Sequence, residues 1–193
     1  RAKGEMDATW QWLGKVAGTK GVGVNRVRVA PGKLPTPPHS HGASEEIVYV
    51  LGGSGLSWQD EAAYELGPGD CIVHRVQHSH TLRAGDDGLD VLAFGERGRT
   101  EAAHLPRAHV SWLGGSWVEA GTGPHPWERE VAAGEPDLPE LGERPDSVVH
   151  VDDVEGDHDG GSWRRLARTA GAERTGLNWG RLPAGEEGAP PHS

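Results

Sequence analysis

His39 and His41 stand two residues apart behind Pro37-Pro38, and Glu45 and Glu46 follow four and five residues after His41. On an extended segment residues i and i+2 face the same side, so the two imidazoles point to one place. Neutral imidazole is the commonest metal ligand near neutral pH, and a nearby carboxylate adds the negative charge that a divalent cation attracts. A second histidine cluster comes later, in His74-Arg75-Val76-Gln77-His78-Ser79-His80. A His-x-His pair, then a Glu, then a distant His suggests a metal site of three histidines and one carboxylate. Any one of these histidines alone reads better as a cap at the rim of a sheet. Their order is what carries the metal reading.

That order resembles the first motif of the cupin family, G-x5-H-x-H-x(3,4)-E-x6-G. Gly32 opens it with a six-residue gap to His39, one longer than the pattern, and His41 follows. Both Glu45 with Gly52 and Glu46 with Gly53 meet the remaining spacing. The family-like run Glu46-Ile47-Val48-Tyr49-Val50-Leu51 favours Glu46. In the looser second motif Gly69-Asp70 is present, and His80, ten residues after Asp70, holds the family's ligand position. Arg75 and Gln77 depart from the Pro and Gly usual there. The resemblance covers residues 17–95 and implies an all-β, antiparallel jelly-roll barrel. It further implies that His39, His41, Glu46 and His80 share one divalent transition metal (Fe, Mn, Zn, Ni or Cu), with open positions for water and substrate. Pairing through edge strands, as many cupins do, implies a homodimer.

The elements that must position these groups read as a series of short strands. Thr9–Lys15, Val22–Val29, Glu46–Leu51, Leu56–Gln59, Ala63–Leu66, Cys71–Val73, His80–Arg83 and Leu89–Phe94 alternate or run apolar. Turns fall between them, at Gly52-Gly53-Ser54-Gly55, Asp60-Glu61 and Gly67-Pro68-Gly69-Asp70. Such a series without helical period suggests a sandwich or barrel. Val22, Val24, Val27 and Val29 are core candidates, and residues 1–9 read as a loose lead-in.

An internal repeat organises the longer range. A shift of 153 residues lays Trp10 on Trp163, Leu13 on Leu166, Ala17-Gly18 on Ala170-Gly171, Asn25 on Asn178, Gly32 on Gly185 and Pro38-His39-Ser40 on Pro191-His192-Ser193. The expected organisation is a first cupin barrel at 1–98, an extended connection at 99–147, and the N-terminal part of a second cupin copy, incomplete, at 148–193. The connection is Pro- and Gly-rich, but Trp112, Trp117, Val118 and Trp127 make it too apolar for a free tether. They are expected to anchor it along the barrel. The chain starts at Arg1, consistent with a processed or partial sequence.

Composition narrows the partners. A net charge of -10 argues against nucleic acid and anionic membrane surfaces. Cys71 is the single cysteine, which excludes an intrachain disulfide and makes a cytoplasmic setting the default. No apolar run is long enough to span a bilayer. Small-molecule chemistry remains. His78, two residues before His80, and a metal-bound water are the candidate proton-transfer groups. Tyr49 and Tyr64 are weaker candidates for an oxyanion donor, and His74 a doubtful neighbour of the site. Arg26 and Arg28 read as solvated edge charges, and His104, His109, His125, His150 and His158 as surface. The acidic group around Asp152, Asp153, Glu155, Asp157 and Asp159 reads as a solvated turn. Two function classes follow: a metal-dependent dioxygenase, decarboxylase or isomerase acting on a small polar molecule, or a cupin that holds metal and ligand without turnover.

Overall fold

The computed structural model describes residues 3–98, 101–113, 116–117, 124–157 and 163–185. Arg99, Val118, His158, Asp159, Pro191, His192 and Ser193, singled out from the sequence, lie outside the described residues. The main sheet begins with β1 (Ala8–Gln11), followed by the one-turn helix α1 (Leu13–Val16), and β2 (Val22–Val29). The short β3 (Ser40–His41) carries the His-x-His motif. Then come β4 (Glu46–Gln59), β5 (Ala62–Leu66), β6 (Asp70–His74) and the long β7 (His80–Glu96). The order across this antiparallel sheet is β1-β2-β7-β4-β6, with β5 on the far half of β4.

β4 and β7 are each one continuous strand where the sequence suggested two. The run Gly52-Gly53-Ser54-Gly55, expected as a turn, is a bend inside β4 with irregular pairing between Val50 and Gly55. A Cβ on Gly53 would stand 2.1 Å from the Gly88 carbonyl oxygen, and one on Gly55 2.4 Å from that of Arg83. Only glycine lets the two backbones pass so closely at a barrel corner. The near half of β4 pairs with β6 and the C-terminal half of β7, and the far half with β5 and the start of β7.

Inward positions follow strict alternation. Val27 and Val29, Val48 and Val50, Ile72, Leu82 and Ala84, and Leu89 and Val91 form the barrel core. Val22 and Val24, expected in the core, fall on the other face of β2, and Val22 is exposed. The inner positions at this end of β2 are Gly23 and Asn25, in phase with Val27 and Val29. Thr9–Lys15, expected as a strand, breaks after Gln11 into α1, whose Gly14 packs against β2. The lead-in is not loose: Met6 is buried and bridges to Leu34.

The described residues between 101 and 147 lay a second layer. β8 (Ala102–Leu105), β9 (Val110–Leu113) and β10 (Ser116–Trp117) extend from β3 in the order β10-β9-β8-β3. Helix α2 (Pro126–Ala132), capped by the His125 side chain, sets Trp127 against Leu105, Ala108 and Val110. Arg144 returns the chain to the barrel: it donates to both carboxylate oxygens of the buried Asp70, at 2.9 and 2.8 Å.

β11 (Val148–His150) adds to β6 as a further strand of the main sheet. A 3-10 turn (Val151–Asp153), β12 (Gly156–Asp157), β13 (Trp163–Arg164), α3 (Leu166–Thr169) and β14 (Trp179–Gly180) follow. α3 covers the outer face of the barrel, where Leu166, Ala167 and Ala170 pack on Ile47, Cys71 and Val73. The repeat is local structure as well as sequence. At the same 153-residue shift, α3 matches α1, the Trp163↔Gly180 pairing matches Trp10↔Val27, and Gly171 (φ 83) and Gly185 (φ 86) match Gly18 (φ 76) and Gly32 (φ 69).

Because Leu166 is fully buried in that contact, Leu166→Ala should lower stability by about 2–5 kcal/mol. Chemical denaturation checks this, and a loss under about 1 kcal/mol would mean that α3 does not depend on the barrel face.

Candidate metal centre

A pair of backbone hydrogen bonds builds the centre. His39 N–H donates to the His80 carbonyl (3.1 Å) and His80 N–H to that of His39 (2.8 Å). The Gln77 N–H adds a bond to the His41 carbonyl at 2.8 Å. The Pro-rich approach is thereby fastened to the start of β7, and His39 and His80 lie with ring centroids 4.8 Å apart. His41 comes within 4.9 Å of His39 and 5.4 Å of His80. Glu46 opens β4 on the inner face, in phase with Val48 and Val50, and stands opposite His74 of β6.

Two of the three expected histidines have fixed tautomers. His39 Nδ1–H donates to the Pro37 carbonyl at 3.0 Å and His80 Nδ1–H to the His78 carbonyl at 2.9 Å. A carbonyl can only accept, so each Nε2 keeps its lone pair. His41 Nδ1 stands 3.6 Å from Glu101 Oε1, a carboxylate delivered by the segment leading into β8. The ligand atoms of His39, His41 and His80 lie within 4.8 Å of one another, as do those of Glu46, His74 and His80. Glu46 Oε2 is 3.5 Å from His80 Nε2 and 3.6 Å from His74 Nδ1. Since His80 Nε2 has one free lone pair, the two trios cannot each hold an ion. They share His80 and make up one candidate centre.

The four residues expected as ligands therefore gather in one cluster, linked through His80, and His74 joins them. Its ring stacks on that of His80 at 4.1 Å, and its Nε2 meets Ser57 Oγ at 3.3 Å. Glu45 faces the other way, buried, accepting the backbone N–H groups of Glu173 and Arg174. The His78 imidazole is exposed and pairs with Asp60 at 2.6 Å; its carbonyl is what holds His80. Tyr49 packs among the outer apolar cluster and Tyr64 lies by His78 and Asp60. Arg26 and Arg28 both pair with Asp90.

The donors suit a divalent ion. Burial, reinforced by the charge of His80 and then His41, pushes the His39 pKa down to about 3. Burial likewise lowers His74 to about 4, and lowers His41. These imidazoles stay neutral at physiological pH. Burial works to raise Glu46, but its close contacts with His74 and His80, together with the electrostatic influence of His80 and His41, outweigh it and hold the carboxyl well below its usual range. His80 Nε2, His74 Nδ1 and both His41 nitrogens are buried without a hydrogen-bond partner. Unmet buried polar atoms cost about 1–3 kcal/mol each, and a cation would satisfy them. Ligands bound at about 2.1 Å lie about 3.0–3.5 Å apart, close to the Glu46–His80 spacing.

A cavity of about 460 Å³ opens on the centre at His41 and Glu46. Its wall includes Asn25, Glu101, Lys15 and Arg97. Neither Asn25 nor Glu101 was read from the sequence as a site residue. Asn25 carried a signal, a polar residue in phase with buried valines; Glu101 carried none, because only the β3–β8 pairing brings it to His41.

A family model described as a cupin domain matches residues 25–94. Among solved structures, the chain is similar to a putative sugar phosphate isomerase from Acidithiobacillus ferrooxidans, at 27% identity and a TM-score of 0.53, covering 61% of this chain and 83% of that one. A cupin-superfamily sugar phosphate isomerase from Silicibacter pomeroyi follows at 25% identity and TM-score 0.52, with coverage of 58% and 81%. A Bacillus subtilis oxalate decarboxylase with Mn(II) centres is matched at 19% identity and TM-score 0.40, over 47% of this chain and 25% of that one. No curated protein matches the sequence. Among the described residues no helix is long and apolar enough to cross a membrane.

The lowered histidines fix a pH response of the metal-free chain. Below about pH 6.5 the unfolded chain protonates its histidines, while folded His39 and His74 resist until about pH 3 and 4. The unfolded state then binds more protons, so stability falls with falling pH across that window, by at most about 1.4 kcal/mol per pH unit for each. Thermal melts between pH 7 and 5 should show this decline, shallower in His74→Gln; a flat profile would mean that these rings are solvated. Elemental analysis should find a divalent transition metal in the purified chain and far less in His41→Ala. Equal metal in both would remove His41 from the centre.

Proposed function

With a cupin domain at residues 25–94 as the premise, we propose that this chain is a metal-dependent enzyme of the isomerase type, acting on a small hydroxy-carbonyl compound. One observation carries the reading: a nitrogen-rich centre with a carboxylate ligand, a second carboxylate at its edge, and a cavity large enough for a small ligand. His39, His41 and His80 would hold the ion with Glu46, and His74 stands against Glu46. Bound there, a divalent ion supplies a Lewis acid that polarises a ligand oxygen.

The remaining work falls to Glu101. Its Oε1 accepts from the Ala43 N–H at 3.4 Å and lies 3.6 Å from His41 Nδ1, while Oε2 is buried and without a partner. A carboxylate so held can take a proton from the carbon beside a carbonyl and return it to the neighbouring carbon. That exchange needs no oxidant and releases no fragment. The similarity to two structures named as sugar phosphate isomerases supports this choice among cupin activities.

The matching of β13, α3 and β14 to β1, α1 and β2 supports a further part of the reading, that residues 148–185 begin a second cupin copy whose first unit is docked on the first barrel.

The test is proton exchange in D₂O. Metal-loaded chain given a panel of aldose and ketose phosphates should incorporate deuterium at a carbon beside the carbonyl while interconverting the pair. Glu101→Gln should lower kcat by about 10²–10⁴-fold with metal content unchanged. Oxygen uptake or CO₂ release from small acids, without such exchange, would replace the isomerase reading with an oxygenase or decarboxylase.

A further inference from the structure

The cavity beside the metal centre has a polarity that proton transfer alone does not require. Four carboxylates line it: Glu45, Glu46, Glu96 and Glu101. Two are neutralised from the C-terminal unit. Glu45 accepts the backbone N–H groups of Glu173 and Arg174 at 3.3 Å each, and Arg174 pairs with Glu96 at 3.2 Å while donating to the Ala43 carbonyl. Glu46 belongs to the metal centre, and Glu101 to its edge.

Two cations on the same wall, Lys15 of α1 and Arg97 just past β7, have no carboxylate partner among the described residues. Many other cations of this acidic chain do pair: Arg26 with Asp90, Lys33 with Glu5, Arg107 with Glu130, Arg144 with Asp70. Arg97 lies across Gly23, where an added Cβ would stand 3.2 Å from its Nε, so the missing side chain leaves the guanidinium its room. Deeper in, Asn25 Oδ1 is buried without a partner, an acceptor that calls for a donor. The wall thus offers two exposed positive charges, a buried hydrogen-bond acceptor and metal-binding nitrogens.

We propose that this cavity takes a small polyhydroxylated ligand ending in an anionic group, a phosphate ester or a carboxylate, with the anion at Lys15 and Arg97 and a ligand hydroxyl on Asn25 Oδ1. This rests on the reading of the neighbouring centre as metal-loaded and deepens it by naming the substrate class. The guanidinium fork suits either anion, and charge-assisted bonds at the mouth supply the discrimination. The C-terminal unit acts here at a distance from the chemistry: by neutralising Glu45 and Glu96 it keeps the wall from repelling the anion.

Isothermal titration of the full chain loaded with Mn(II), against glucose 6-phosphate, gluconate and glucose, tests the proposal. At least one of the two anions should bind about tenfold or more tightly than glucose, and which one does so identifies the anionic group. The Lys15→Ala/Arg97→Ala double variant, altered only at exposed positions, should lose that preference while its affinity for glucose stays unchanged. Asn25→Leu should weaken the preferred anion and glucose alike. Equal affinity for all three compounds, or an undiminished preference in the double variant, overturns the proposal. So does the absence of anion binding by chain that carries its Mn(II), which leaves the metal centre standing. Chain that takes up no Mn(II) overturns the metal reading and this proposal together.

Discussion

The reciprocal backbone bond between His39 and His80 is the constraint on which the site depends. It joins a Pro-rich approach, which makes few ladder bonds of its own, to the first residue of the longest strand. Without it the His-x-His segment has no fixed height on the barrel. With it, imidazoles from two distant parts of the chain are held out of water with their rings in contact and several nitrogens unmet. That arrangement is unfavourable in the metal-free state. A cation that meets the free lone pairs turns it into a stabilising one.

The rest of the fold serves to hold this cluster dry and oriented. Carbonyls of Pro37 and His78 choose the tautomers of His39 and His80, and Glu101 faces His41, whose ring no carbonyl holds. Glycines at 53 and 55 let β4 and β7 cross closely enough to bend as continuous strands, and the barrel corner follows from that approach. β11 extends the sheet beside β6 and α3 covers the outer face, while Arg144 ties the preceding segment to Asp70.

The order of a His-x-His pair, a Glu and a distant His was readable from residue type and spacing, the cupin resemblance singled out Glu46 and His80, and these four side chains lie in two trios that share His80. The choice between Glu45 and Glu46 was harder. Val48 and Val50 mark the inner face, but Ile47 and Tyr49 are just as apolar, because α3 and its neighbours bury the outer face too. Alternation is invisible in a strand covered on both sides. His74 could be placed only by the Glu46↔His74 register, and Glu101 only by the β3–β8 pairing. The glycine run of β4 misled for a physical reason: glycine marks a turn and a close backbone approach equally well, and sequence does not say which. The short α1 was hidden because one helical turn has no period to detect.

The most direct measurement is a crystal structure of the chain soaked with Mn(II), its ion located by anomalous scattering. The account places that ion within about 2.0–2.4 Å of Nε2 of His39 and His80 and of a His41 nitrogen, with a Glu46 oxygen turned toward it. An ion seated instead at an exposed pair such as His78 and Asp60, with the four buried side chains left unligated, would contradict it.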